Sequence, residues 1–347
     1  MNEGRLVKVS LPSKMVTEMD AYITKSTAYA SRQEFVTDAV ANLLTDLLSS
    51  GDEYSSGTNE GMASAPPSRM TSPVHQVEDP VLEVPRISRD EALAIAAIRE
   101  PGSSVPTIGV EAHRTNSQPT WGLHNRDWPT IWAASVLGEY TAHGPVEYDH
   151  FKVELVNAAW KMASALSEHW DISGLPNNRS KALASEARFI EFFVGSQIGS
   201  GPLFSFGLAG AADSSSVALT ESGAALLRRL SGLTREKGVV VSSSHRMAFL
   251  RHLARFAPAD LNAMQEVVLH ISAGESTRLE LIAAIERAHP DWPGGTAATN
   301  AAGYVARARE WGILSEKQVN HQYVIAEDGA AELGSVLASS AEAVKAS

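Results

Sequence analysis

Apolar and polar residues alternate near the start of the chain, over the stretch LVKVSL at positions 6–11. A period of two puts one set of side chains on each face, as in a half-buried β-strand. The set that faces away from the apolar side consists of Leu6, Lys8 and Ser10. A strand this short is not stable alone, so the pattern predicts that it pairs with another strand.

Two helix patterns follow this strand, and no second strand pattern lies nearby. Pro12 begins the first helix, in which apolar residues recur at helical spacing up to Ile23. Ser31 and Glu34 fit a capping box at the start of the second, whose apolar face continues to Leu47. One strand and two helices would leave a strand edge unpaired and helix faces uncovered. A twofold dimer would cover both.

The stretches LVKVSLPSKMVTEMDAYI and SRQEFVTDAVANLL resemble the ribbon–helix–helix family. The resemblance implies a homodimer that inserts a two-stranded ribbon into the major groove of double-stranded DNA. It also implies a phosphate contact at the start of the second helix. The implied contact residues are Arg5, Leu6, Lys8 and Ser10 on the ribbon and Ser31, Arg32 and Gln33 at the helix start. The turn before that helix reads AYA, where the family usually has glycine. A ribbon that dimerises without touching DNA is the alternative.

Composition divides the chain into four predicted segments. They are a ribbon–helix–helix module at 1–48, a disordered linker at 49–87, and winged-helix-like helical domains at 88–235 and 236–347. The linker is rich in Ser, Gly, Pro and acidic residues, so it cannot bury enough apolar surface to offset the entropy of ordering. The predicted fold class is mainly α with a small amount of β structure (α+β).

The two helical domains are predicted from a repeated segment. LTESGAA at 219–225 resembles IAEDGAA at 325–331, and each follows a strand pattern and opens a helix. This resembles the end of a winged-helix domain, where the wing leads into a last helix. Three helix patterns precede each copy, which indicates tandem domains. The first copy is predicted to have a helix that begins at Trp128 after an Asp127 cap, a helix over Val146–Trp170, and a third within 177–199.

The second copy has the clearer pattern. Its predicted helices are Pro258–Ile271, Thr277–Ala288 and Thr296–Trp311, and its predicted wing strands are Ile313–Leu314 and Gln322–Ile325. In winged-helix domains the third helix is the recognition helix, so the resemblance implies DNA contacts from it and from the wing. The implied residues are Thr296, Thr299, Asn300, Arg307 and Arg309 on the helix and Lys317 on the wing. A winged helix that contacts protein, with these residues merely solvated, is the alternative.

Charge limits how DNA could be bound. The chain of 347 residues carries 29 Lys and Arg against 40 Asp and Glu, a net charge of -11. A uniformly positive surface is therefore excluded, and any nucleic-acid surface must be a local basic stripe.

Motifs for catalysis are missing from the sequence. There is no cysteine, no HExxH spacing, no phosphate-loop Gly-Lys-Ser/Thr and no GxSxG. We therefore predict no enzyme activity and no cofactor. No apolar run is long enough to span a bilayer, so we expect no membrane partner and a cytoplasmic, nucleoid-associated protein.

The sequence favours a homodimeric, sequence-specific DNA-binding protein, either a transcriptional regulator such as a repressor or a partition-type DNA-maintenance factor. The alternative is an antitoxin-like or adaptor protein. Such a protein would dimerise through its N-terminus and bind a protein partner through its acidic C-terminal body.

Overall fold

The computed structural model describes residues 87–109, 124–166, 174–176, 182–236, 239–292 and 295–346. Most of these residues are helical and few are in strands, which confirms the mainly α class for this part of the chain. The predicted ribbon, its two helices and residues 49–86 of the predicted linker lie outside the described residues, as do Arg5, Leu6, Lys8, Ser10, Ser31, Arg32 and Gln33.

The first half is built around one fully buried helix. Helix α1 (Arg89–Ala96) begins after Ser88, whose hydroxyl accepts a hydrogen bond from the Glu91 N–H. Helix α2 (Trp128–Tyr140) has Pro129 in its first turn and is buried over residues 128–138. It is apolar on nearly every side, as expected for a helix surrounded by the core. A short 3₁₀ turn (Thr141–His143) ends it.

The next elements differ from the prediction of one helix over Val146–Trp170. Val146–Glu147 is strand β1, and helix α3 runs from Tyr148 to Leu166. Helix α4 (Ala182–Phe189) continues into a π-helical turn (Ile190–Val194), within the range predicted for the third helix. A short helix α5 (Pro202–Ser205) follows.

A three-stranded antiparallel sheet completes this half. Strands β2 (Ala209–Ala211) and β3 (Ser216–Leu219) form a hairpin, and β1 pairs with the other edge of β3. The order is therefore β1-β3-β2, with Val146 opposite Val217 and Gly210 opposite Ala218. Helix α6 (Glu221–Arg229) begins after Thr220, whose side chain accepts from the Gly223 N–H at 2.8 Å.

The second half consists of helices α7 (Ser243–Phe256), α8 (Pro258–Ser272), α9 (Arg278–Ala288), α10 (Thr296–Glu310) and α11 (Glu327–Ala346). The predicted helices at 258, 277 and 296 are confirmed, with Thr277 as the cap of α9 in a complete capping box with Glu280.

Between α10 and α11 the chain forms a narrow hairpin held by isolated bridges, in place of the predicted wing strands Ile313–Leu314 and Gln322–Ile325. Leu314 bridges Ile325, Val319 bridges Gln322, and Gln322 also bridges Thr277. Asn320 and His321 at its tip both have left-handed φ angles, the conformation of a two-residue hairpin turn.

The two halves follow the same order of elements. In each, a helix leads to a short extended segment, further helices, a hairpin and a last helix; the first half has the short helix α5 in addition to α3 and α4, whereas the second has only α9 and α10 at this place. The first extended segment pairs with the second arm of the hairpin both times, as β1 with β3 and as Thr277 with Gln322.

The repeated glycine has the same structural reason in both copies. A Cβ on Gly223 would lie 2.3 Å from the Leu208 carbonyl oxygen, and one on Gly329 would lie 2.1 Å from that of Gly312. In both halves the last helix therefore packs directly against the backbone that enters the hairpin.

Residues of both halves contribute to one continuous hydrophobic core, and the described residues all belong to one compact unit. The predicted boundary between residues 235 and 236 stays a prediction. Within the described ranges, no helix is both long and apolar enough to cross a bilayer.

Candidate nucleic-acid interface

The predicted recognition helix, α10, turns two of its polar residues into the protein. Arg307 is fully buried and Asn300 is only 4% exposed. The prediction that these two side chains lie on an exposed, DNA-facing surface is therefore wrong. Helix α10 packs against α8 and α9, and Arg307 contacts Asp127 of the first half, so the face of α10 that carries these two side chains is buried.

Arg307 is the centre of a buried charge cluster with Asp127 and Asp260. Its Nε lies 2.9 Å from Asp127 Oδ1, and its Nη1 donates to Asp260 Oδ1 at 2.5 Å. Asp127 directly precedes α2, whereas Asp260 lies in the first turn of α8. The guanidinium thus joins the two halves of the body through two carboxylates that are both fully buried.

Further hydrogen bonds hold Asp127 in this cluster. The Trp311 indole N–H donates to Asp127 Oδ2 at 2.9 Å, and His124 Nε2 lies 3.1 Å from Oδ1. Burial alone would raise the pKa of Asp127, but the Arg307 charge and the His124 hydrogen bond outweigh it and hold the pKa at about 2. Burial opposes the charge of Arg307 as well, yet the two aspartates raise its pKa above the ordinary value. Both partners are therefore charged.

Glu310, the last residue of α10, acts as the N-terminal cap of α2. Its carboxylate accepts from the backbone N–H groups of Asp127, at 2.5 Å, and Trp128, at 3.2 Å. The predicted side-chain cap by Asp127 is wrong, because that carboxylate is bound to Arg307 instead. Burial raises the pKa of Glu310, and Arg235, at 3.7 Å from Oε1, opposes the rise.

The other predicted residues of the second half remain accessible. Thr296 and Thr299 are partly exposed in the first turns of α10, and Lys317 is exposed on the hairpin. Arg309 is partly exposed and its guanidinium lies 5.0 Å from the centre of the Tyr323 ring. The structure thus leaves a small polar set at one end of α10 and a single cation on the hairpin.

A second basic surface lies between α6 and α7, and we call it the arginine groove. Arg229, Arg251 and Arg255 line this shallow groove of about 350 Å³, and all three are exposed. Glu221 is the one acidic residue among its lining residues. Two sequence features could have indicated this groove. Arg251 and Arg255 are four residues apart and so share one helix face, and Arg228 and Arg229 are a basic pair earlier in the chain.

The floor of the arginine groove contains a neutral histidine. His252 is buried, and its Nε2 donates to the Phe206 carbonyl at 2.6 Å. Burial lowers the pKa of His252 to about 4, with the Phe206 carbonyl opposing the shift and Arg255 adding to it. The positive charge of the groove therefore comes from the arginines.

No protein-family model, curated protein or solved structure matches the chain. Among the described residues, no group of three or more His, Asp and Glu side chains is arranged to hold a metal ion.

Proposed function

We propose that the protein is a homodimeric, sequence-specific DNA-binding protein that acts as a transcriptional regulator or a partition-type factor. The observation that carries the proposal is the repeated order of helix, extended segment, helices, hairpin and last helix. In both halves the extended segment pairs with the second arm of the hairpin. That order is the arrangement expected of tandem winged-helix domains. The ribbon–helix–helix resemblance of residues 1–48 supplies the dimer and the sequence-reading ribbon.

The body offers phosphate contacts rather than a base-reading surface. The first turn of α10, with Thr296 and Thr299, has the N-terminal polarity that favours a phosphate, and Lys317 lies on the hairpin that follows the other end of α10. The arginine groove adds three exposed cations. Such contacts raise affinity without selecting a sequence. Linked to a ribbon dimer, they would add to affinity through their effective concentration.

A net charge of -11 makes this division of roles necessary. The acidic body would repel DNA over most of its surface, so binding depends on the basic groups that are concentrated locally. Sequence selection is then assigned to Lys8 and Ser10 of the ribbon, and general affinity to the arginine groove.

The test is selection of binding sites by the full-length protein from a random pool of duplex DNA. Wild type should enrich a palindromic or repeated site, and Lys8→Ala should lose that enrichment while the dimer persists. The double variant R251Q/R255Q should weaken binding to every sequence and reduce the salt dependence by about two ion equivalents. The double variant Lys161→Gln/Arg188→Gln, with one change on α3 and one on α4, serves as the charge-matched control.

A second function is favoured by the exposed face of α10. Its outward residues are small, with Ala302 exposed and Ala298 and Ala306 partly exposed, while the longer Asn300 and Arg307 are buried. A smooth face of this kind suits packing against protein, as in the adaptor or antitoxin-like alternative. Failure of wild type to enrich any site, together with binding that Lys8→Ala does not change, would favour this function.

A further inference from the structure

His124 lies shortly before α2 and is almost fully buried, with 4% of its surface exposed. Each of its two ring nitrogens contacts an oxygen atom. Nδ1 lies 2.8 Å from the Phe192 carbonyl oxygen, and Nε2 lies 3.1 Å from Asp127 Oδ1. Phe192 belongs to the π-helical turn Ile190–Val194, so the imidazole joins that turn to the residue that precedes α2.

Both oxygen atoms that the imidazole contacts are hydrogen-bond acceptors. A backbone carbonyl has no hydrogen to donate, and neither has an ionised carboxylate. Burial acts to raise the pKa of Asp127, but the charge of Arg307 outweighs it and holds the pKa at about 2, so the carboxylate is ionised at neutral pH. A neutral imidazole has one N–H group, whereas an imidazolium has two. Only the protonated ring of His124 therefore satisfies both contacts.

Two charged residues of α10 belong to the same cluster and act on the His124 ring in opposite directions. Arg307 Nε lies 2.9 Å from the Asp127 oxygen that His124 contacts, so its charge opposes a second cation there. Arg307 is shared with Asp260, however, and does not serve Asp127 alone. Glu310 accepts from the Asp127 backbone N–H at 2.5 Å, and its carboxylate favours a cation. A buried charge that is paired in this way can remain in the core.

The other described elements around the ring contribute aromatic groups. The ring centres of Phe193, in the π-helical turn, and Phe206, which follows α5, lie 5.4 and 5.3 Å from that of His124. The Phe206 carbonyl accepts a hydrogen bond from His252 of α7. Burial lowers the pKa of His252 to about 4, so this second histidine is neutral at physiological pH. Any change of charge near neutral pH in this region is therefore expected at His124.

We propose that His124 is an imidazolium in the folded protein and acts as a proton-sensitive latch on the joint between the two halves. The protonated ring holds the π-helical turn to Asp127, and Asp127 in turn binds Arg307 of the second half. Loss of the proton would leave one ring nitrogen facing an acceptor with no hydrogen between them, which is costly in the core. The proposal does not depend on DNA binding, because the latch is formed by the body alone.

The latch would respond in the physiological range, since histidine is the side chain that ordinarily changes charge between about pH 5 and 8. The contribution of the imidazolium exists only while the ring holds its proton. The joint should therefore be tight in mildly acidic and neutral solution and should loosen as the pH rises.

The direct test is NMR of the full-length protein with ¹⁵N-labelled histidine, because the ring nitrogens distinguish an imidazolium from either neutral tautomer. At about pH 7.5, where an exposed histidine is mostly neutral, the His124 ring should still be an imidazolium. Its signal is assigned as the one that is lost in His124→Gln, and the exposed histidines serve as the internal reference. A His124 ring that is neutral at this pH would overturn the proposal.

The second test measures the joint itself, by amide hydrogen exchange at about pH 6 and about pH 9 after correction for the intrinsic pH dependence of exchange. The first turn of α2 and the π-helical turn should lose about tenfold or more of their protection at the higher pH, the value of one charged hydrogen bond. Helix α9, which lies outside the cluster, should not change. His252 does not titrate in this range, because its pKa is about 4.

Two variants connect the exchange result to the ring. His124→Gln should remove the pH dependence at both sites, whereas His143→Gln, at an exposed position, should keep it. If His124→Gln is not folded, the exposed-histidine reference and the pH titration of wild type still decide the charge of the ring. Equal protection of wild type at the two pH values, or a pH dependence that survives in folded His124→Gln, would overturn the latch.

Discussion

Replacing Arg307 with Met should destabilise the body strongly, because it leaves two carboxylates in the core without their shared cation. Met has a similar apolar length, so the change removes charge with little change in packing volume. Breaking a buried ion pair from one side costs about 3–5 kcal/mol. Asp127 would keep the Trp311 and His124 contacts, whereas Asp260 would keep the Tyr304 hydroxyl at 3.2 Å.

This prediction has a pH signature. In wild type the Arg307 charge holds the pKa of Asp127 at about 2 against burial, which acts to raise it. In Arg307→Met only the weaker opposing contacts remain, so the pKa of Asp127 should rise. A carboxyl whose pKa is higher in the folded state takes up a proton more readily there than when unfolded. The destabilisation should therefore be smaller at pH 4 than at pH 7.

The assay is urea unfolding followed by far-UV circular dichroism and by tryptophan fluorescence, with Trp311 inside the cluster as a local reporter. Arg307→Met/Asp260→Asn should recover part of the loss, because it removes one of the two unpaired charges. Arg188→Met, at an exposed position, should stay within about 0.5 kcal/mol of wild type. A loss below about 1 kcal/mol for Arg307→Met at pH 7 would refute the reasoning, since no buried pair costs so little to break.

Two other predictions concern stability. The pKa of His252 is about 4 in the folded protein and near 6.5 in the unfolded protein. The contribution of the buried neutral ring to the free energy of unfolding is therefore present above pH 6.5 and is lost as the pH falls toward 4. As the pH falls from 7 to 4, the free energy of unfolding in urea should decrease by up to about 3 kcal/mol more for wild type than for His252→Gln. If the free energy of unfolding of the two proteins depends on pH in the same way, the buried ring is not neutral. Gly223→Ala and Gly329→Ala should each cost about 1–3 kcal/mol, because the new methyl group meets a backbone carbonyl. A methyl group at Gly334 has open space, so Gly334→Ala should stabilise α11 by about 0.5–1 kcal/mol. If thermal unfolding shows that all three substitutions change the stability in the same direction, the packing argument is contradicted.

Local signals explain why several helices could be predicted from the sequence. Pro129 and Pro258 fix helix starts through their restricted φ, and Thr277 with Glu280 satisfies the first N–H groups of α9 within one turn. Each signal acts within a few residues, so it operates in the same way in any tertiary environment. The repeated Gly223 and Gly329 were found for a related reason, since a close approach of backbones admits no other residue.

The errors arose where distant residues decide the structure. Val146 fits a helical pattern but pairs with Val217 in the sheet, a partner far along the chain. Arg307 lies on α10 among polar residues, and helical periodicity alone cannot show that Asp127 and Asp260 will meet it in the core.

The buried charge cluster has a consequence for how the two halves act. Apolar surfaces alone tolerate small shifts, but ion pairs at 2.5 and 2.9 Å and the Glu310 cap on α2 require one alignment of α10 with the first half. A buried pair adds little net stability compared with apolar packing, so we infer that its contribution here is to orientation.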